Sequence, residues 1–204
     1  ARASGYPIQD QWTLIDGVGD RMWFMTNKGA PRLKVVSADI VPGRAPTFSD
    51  IVAERPETLD GASIVGDKII LAYLKDAQAE VEMVTLSGAS AGKVDLGGIG
   101  TAAGFGGDAS NSETFYSFSG FTTPSVIYRL DTATGERTVF AKPDLPFNPD
   151  DYVTEQRFYT SKDGTKIPLF LVYRKDLDLT KGHPTMLYGY GGFNISLTPS
   201  YSPT

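Results

Sequence analysis

The first chemistry to weigh in this chain is that of a nucleophilic serine. Gly88-Ala89-Ser90-Ala91-Gly92 satisfies the G-x-S-x-G pattern, in which a sharp strand-to-helix turn lifts a serine hydroxyl toward a base. Such an elbow needs a helix after the serine. Here Val94-Asp95-Leu96-Gly97-Gly98 follows and reads as a short strand and then glycines, so Ser90 is read as a hairpin residue. The base is no better supplied. His183 is the single histidine, and its place before Pro184 at the mouth of a strand-like run fits a structural or surface role. With one histidine and no cysteine, a His-rich or thiolate metal site and any disulfide are excluded. Gly98-Ile99-Gly100-Thr101-Ala102-Ala103 imitates a dinucleotide fingerprint, yet no βαβ strand precedes it and no helix pattern follows. Asn194-Ile195-Ser196 matches a glycosylation sequon by chance.

The remaining place with chemical potential is near the end. Pro184-Thr185-Met186-Leu187-Tyr188 is an uninterrupted apolar run ending in Gly189-Tyr190-Gly191-Gly192-Phe193-Asn194. It predicts a buried strand that runs into a glycine-rich loop, the way open α/β sheets present backbone to a ligand. Glycines at 189, 191 and 192 are expected to let the backbone turn tightly there. If the strand persists, Tyr188 and Tyr190 share a face. Tyr188 is assigned to packing and Asn194 to structure.

Any site must be held by the elements around it, and over the first 140 residues those elements repeat. Val18-Gly19-Asp20-Arg21-Met22-Trp23-Phe24 returns as Val65-Gly66-Asp67-Lys68-Ile69-Ile70-Leu71 and, more loosely, as Asn111-Ser112-Glu113-Thr114-Phe115-Tyr116-Ser117. Aligning Met22, Ile69 and Phe115 gives spacings of 47 and 46 residues. After each copy come a polar or Gly/Pro stretch and a β-branched strand: Leu33-Lys34-Val35-Val36, Val81-Glu82-Met83-Val84 and Val126-Ile127-Tyr128-Arg129. A further short strand, clearest at Glu136-Arg137-Thr138-Val139-Phe140, completes the set. Short strands recurring as a set at this period are the signature of β-propeller blades; strands of a β-sandwich would be short but would not recur together. A propeller closes with about four to eight blades. About three are present, so residues 1–147 are read as a partial ring.

The pattern changes at Pro143, Pro146 and Pro149, three prolines in seven residues that favour an extended crossing between domains. Beyond it, Gln156-Arg157-Phe158-Tyr159-Thr160 and Lys166-Ile167-Pro168-Leu169-Phe170-Leu171-Val172-Tyr173 flank Ser161-Lys162-Asp163-Gly164-Thr165, an Asp-Gly hairpin signal. Pro168 cannot donate to a ladder, which puts its strand at a sheet edge or turns the missing N–H outward.

Composition sets outer limits. Hydrophobic residues at 41% and charged residues at 21% are those of a folded globular chain. A net charge of −5 without a Lys/Arg run argues against nucleic acid. No apolar run approaches the roughly 18 residues of a membrane helix, and Ala1-Arg2-Ala3-Ser4-Gly5-Tyr6-Pro7 lacks the apolar core of a signal peptide. The chain reads as beginning in mid-protein. The absence of cysteine suits cytoplasm or periplasm and does not choose between them.

Ser161-Lys162-Asp163-Gly164-Thr165-Lys166-Ile167-Pro168, followed by Leu187-Tyr188-Gly189-Tyr190-Gly191-Gly192-Phe193-Asn194-Ile195-Ser196-Leu197-Thr198-Pro199, resembles the start of the catalytic domain of the prolyl oligopeptidase family. The likeness is close over 150–204 and looser over the preceding blades. It implies a seven-bladed propeller capping an α/β-hydrolase domain, so 148–204 is expected to hold the first strands of that domain. The implied activity is serine-type endopeptidase cleavage of short peptides after proline, with no metal or organic cofactor. By the same resemblance Tyr190 donates its phenolic O–H to the oxyanion and Phe193 lines the proline pocket. The family's serine, acid and base fall after residue 204, so this chain alone is expected to be inactive and to depend on the remainder of the polypeptide. The other reading of these residues is a non-catalytic propeller module that binds peptides or proteins.

Overall fold

The computed structural model describes residues 10–193 and 195–202; Asn194 and the seven N-terminal residues read above lie outside them. Strands β1 (Trp12–Val18), β2 (Arg21–Thr26), β3 (Lys34–Asp39) and β4 (Phe48–Val52) form an antiparallel sheet in the order β1-β2-β3-β4. The next four, β5 (Thr58–Val65), β6 (Lys68–Lys75), β7 (Gln78–Thr85) and β8 (Ser90–Val94), repeat that arrangement. So do β9 (Thr101–Gly106), β10 (Glu113–Ser119), β11 (Val126–Asp131) and β12 (Arg137–Ala141). Each sheet is a meander of consecutive strands, as in a propeller blade. Neighbouring sheets approach one another through their first strands, β1 to β5 and β5 to β9.

The middle sheet explains the order of the others, because both of its faces are apolar. Along β6, Ile69, Leu71 and Tyr73 alternate with Ile70 and Ala72. The first set packs with Trp23, Met25 and Val35 of sheet 1, and Ile70 packs with Phe105, Tyr116, Phe118 and Leu130 of sheet 3. Alternate residues of a strand point to opposite faces, so a strand apolar at every position must be covered twice.

This packing corrects the alignment of the third repeat. Met22 and Ile69 are equivalent, but Thr114, Tyr116 and Phe118 carry the buried face of β10. Thr114 therefore takes the place expected for Phe115, and the second spacing is 45 residues, from Ile69 to Thr114. Phe115 lies on the opposite face, half-exposed, against Phe140. A slip of one residue exchanges the two faces of a strand. The looser wording of Asn111-Ser112 hid it, because the turn before β10 is longer than the Gly-Asp turns before β2 and β6.

Sheet 3 is held by a radial stack. Phe105 is the unpaired residue of a bulge between Gly104 and Gly106, with φ +63, and this conformation turns its ring into the core. It stacks on Tyr116 at 4.5 Å, Tyr116 stacks on Tyr128 at 5.4 Å, and the Arg137 guanidinium covers Tyr128 at 4.6 Å. The stack runs in sequence across β9, β10, β11 and β12. Gly100 leads into it with no room for a side chain: a Cβ there would lie 2.3 Å from the Phe118 ring.

Beyond a single 3-10 turn (Pro149–Asp151), β13 (Tyr152–Thr160) and β14 (Lys166–Arg174) form a two-stranded hairpin with Ser161 N–H bonded to the Thr165 carbonyl. Pro168 therefore sits on a strand with a free edge, as its missing N–H requires. The apolar run 184–188 is not a strand. No described strand lies beside it, and Met186 and Leu187 are 87% and 85% exposed. Without ladder partner or covering layer, an apolar run gains nothing from extended pairing. The described residues contain no helix other than the 3-10 turn and no parallel strand pair, so the layering of an α/β-hydrolase is not shown in them.

The crossing from sheet 1 to sheet 2 is fixed by charge. Arg55 reaches Glu82 at 2.8 Å, Glu80 at 3.1 Å and Glu57 at 3.3 Å, and its guanidinium lies 4.3 Å over the Tyr73 ring. Glu80 also receives Lys93 at 3.2 Å and Lys75 at 3.4 Å. Three cations and three carboxylates meet here; Arg55 and the carboxylates are mostly covered, while Lys75 and Lys93 stay exposed. Burial pushes the Glu80 carboxyl up, but hydrogen bonds and charge from Lys93 and Lys75 outweigh it and hold the carboxyl below its ordinary value. A depressed carboxyl contributes stability above its unfolded pKa, about 4.3, and loses it as the pH falls through the folded value. Stability toward urea should therefore drop on acidification from about pH 5 to about pH 3, and Glu80→Gln should flatten that drop. An unchanged pH dependence in the variant would show that Glu80 carries none of it.

Candidate functional site

The loop after the unpaired run places its two aromatics differently. Tyr190 is 47% exposed, and its hydroxyl has no hydrogen-bond partner among the described residues. Its phenol lies against Gly192, where a Cβ would come 2.8 Å from Oη, so the glycine leaves room for the hydroxyl. The left-handed position of the loop is not a glycine. Gly189, Gly191 and Gly192 all lie outside the positive-φ region, whereas Phe193 has φ +54. The Ile195 N–H donates to the Gly192 carbonyl at 3.1 Å and closes the turn around Phe193. A bulky side chain in this region costs roughly 1–2 kcal/mol, and here it holds a phenyl ring that is 90% exposed. Tyr188 is exposed rather than packed, which departs from its assignment above, because the strand that would bury it is absent.

Past the loop the chain is tied back to sheet 3. Thr101 Oγ1 donates to the Pro199 carbonyl at 2.8 Å, and the Tyr201 N–H donates to Ser119 Oγ at 3.2 Å. The Tyr201 ring stacks on Phe147 at 6.2 Å, and Phe147 meets Tyr152 edge-on. These contacts, which no motif announced, join the loop to the ends of β9 and β10.

The rejected candidates have structural roles. Ser90 opens β8 and pairs with Val84; the strand continues to Val94, where an elbow would need a helix. Gly88 before it has φ +90, and a Cβ would lie 2.1 Å from the Ile51 carbonyl oxygen, so that glycine serves the turn and the sheet contact. His183 Nε2 is 2.7 Å from the Asp178 carbonyl, and the Asp178 carboxylate binds Thr180 and Lys181, which makes the histidine part of a local loop. Serine and histidine are thus each engaged in their own elements. Among the described residues no group of three or more His, Cys, Asp and Glu is placed to hold a metal ion, and no helix is long and apolar enough to cross a membrane. A hollow of about 410 Å³ opens beside Lys75, Gln78, Glu80, Lys93 and Asp95, away from the aromatic loop.

Comparison with known proteins agrees with the three sheets. The profile of the prolyl oligopeptidase N-terminal β-propeller domain matches residues 7–143. The chain is 41% identical over 189 residues to the prolyl endopeptidase of Elizabethkingia meningoseptica, covering 93% of this chain and 27% of that protein. A solved prolyl endopeptidase superposes with a TM-score of 0.84 at 43% identity, over 95% of this chain and 28% of the other. Prolyl oligopeptidase B of Galerina marginata, solved with a 35mer hydrolysis and macrocyclization substrate, superposes with a TM-score of 0.82 at 27% identity, again over 95% and 28%. The chain spans about a quarter of the length of these relatives. Three consecutive four-stranded meanders, matched by a propeller profile over most of their length, show that the chain belongs to the prolyl oligopeptidase family.

Proposed function

We propose that this chain is part of a serine endopeptidase that hydrolyses short peptides after proline. In this reading residues 1–147 belong to the propeller and 148–204 begin the α/β-hydrolase domain, with the run 184–188 becoming a strand once the rest of that sheet lies beside it. The observation that carries the reading is the pairing, on one loop, of a phenolic hydroxyl at Tyr190 with no partner among the described residues and a strained, outward-standing ring at Phe193. Strain of this kind persists where function or surrounding structure holds it, and a free donor beside an apolar wall is what acyl transfer next to a pyrrolidine ring requires.

The chemistry divides between this chain and the remainder of the polypeptide, which would supply nucleophile, base and acid. Serine attack on the scissile carbonyl converts its oxygen into an oxyanion. Tyr190 donates its O–H to that oxygen, an interaction stronger in the tetrahedral intermediate than with the ground-state carbonyl. Phe193 offers a flat apolar surface, so a proline ring is selected through burial. The propeller limits access to short, unfolded peptides.

In the intact enzyme, Tyr190→Phe should lower the acylation rate on a peptide amide about 10- to 1,000-fold with little change in ground-state binding. A wild-type amide rate in a folded variant would return Tyr190 to packing. Phe193→Ala should act on recognition instead, reducing the preference for proline over another residue by roughly 1–3 kcal/mol in relative kcat/KM. Equal losses on proline and non-proline substrates would remove Phe193 from the specificity pocket.

A further inference from the structure

The hairpin β13–β14 touches two sheets at once. Gln156 and Phe170 stand directly opposite each other in its register and therefore share a face. On one side, Gln156 Nε2 donates to the Asp76 carbonyl at 2.6 Å while Gln156 Oε1 accepts from Gln78 Nε2 at 3.1 Å, so both ends of the amide are engaged by the β6–β7 turn of sheet 2. On the other, the Phe170 ring lies 5.5 Å from Phe121, in the β10–β11 connection of sheet 3. These are the same connection, second strand to third, in adjacent sheets.

The turn that Gln156 holds is itself strained. Lys75 pairs with Gln78, leaving a two-residue loop in which Asp76 has φ +49 and Ala77 has φ +65. Such mirror-image turns usually carry Asn-Gly or Asp-Gly, because a Cβ at the second position crowds the carbonyl. Ala77 occupies that position, and the Asp76 carbonyl is the atom Gln156 grips.

We propose that the cross-strand pair Gln156/Phe170 is a two-point clasp over the seam between sheets 2 and 3. Releasing either point loosens the hairpin on both sheets, leaving only its tie through Tyr152, Phe147 and Tyr201 to Ser119, and the clasp keeps the 76–77 turn in its left-handed form. The hairpin then reports on, and resists, the separation of adjacent sheets at this seam. That this controls substrate entry rests on the endopeptidase reading above; the clasp itself does not.

Hydrogen exchange followed by mass spectrometry on the 204-residue chain tests it without any measurement of activity, so a failure of the Tyr190 assignment would leave the result standing. In Gln156→Leu, exchange should rise roughly tenfold in the hairpin, in 75–79 and also in 119–123, which Gln156 does not touch, while Ile69 to Leu71 stay protected. Phe170→Ala should accelerate the same three segments, including 75–79. Acceleration confined to each variant's own contact, or none, would overturn the clasp. Should Gln156→Leu loosen Ile69 to Leu71 as well, Gln156→Glu decides: it keeps the acceptor for Gln78 and removes the donor to Asp76. The three segments accelerating together with the core protected supports the clasp, and wild-type rates reject it.

Discussion

A sheet with one apolar face can end a structure, but a sheet with two cannot. The strand Lys68–Lys75 is buried alternately toward Trp23 and Met25 on one side and toward Phe105, Tyr116 and Phe118 on the other. Sheets 1 and 3 are therefore required wherever sheet 2 exists. The twist of each sheet, with first strands meeting first strands, turns that requirement into an arc of blades. The Arg55 network and the radial stack ending at Arg137 complete the arc at places where apolar burial alone would leave loops unfixed.

The same logic marks the outer faces. Sheet 1 presents Trp12, Phe24 and Phe48 in mutual ring contact, and sheet 3 presents Phe115 against Phe140, with Trp12, Phe48 and Phe140 substantially exposed. These are apolar faces that no described sheet covers. Tyr190 and Phe193 of the aromatic loop are likewise exposed.

Much of this was legible from residue pattern, and the exceptions share a cause. The recurrence of Val-Gly-Asp turns gave the first two blades, because a tight turn fixes register by backbone geometry. The third blade slipped by one residue: its longer turn has no such marker, and only the packing of Thr114, Tyr116 and Phe118 against sheet 2 identifies the buried face. The strand expected at 184–188 depended on partners that apolarity cannot name. The strained residue of the site is Phe193, although three glycines stood beside it, since composition says which residues tolerate positive φ and not which one is forced there. Gln156 carried no signal at all, because a polar residue on a two-stranded hairpin looks like any exposed glutamine until its partners are in place.

The double-faced middle sheet is tested most directly by comparing two neighbouring substitutions, Ile69→Ala and Ile70→Ala, in urea unfolding of this chain. The side chains point in opposite directions and both are fully buried. Each substitution should cost about 2–5 kcal/mol, the range for truncating a buried isoleucine. If one of the two cost less than about 0.5 kcal/mol, the size of an ordinary surface change, sheet 2 would have a solvent face and the arrangement of blades described above would be wrong.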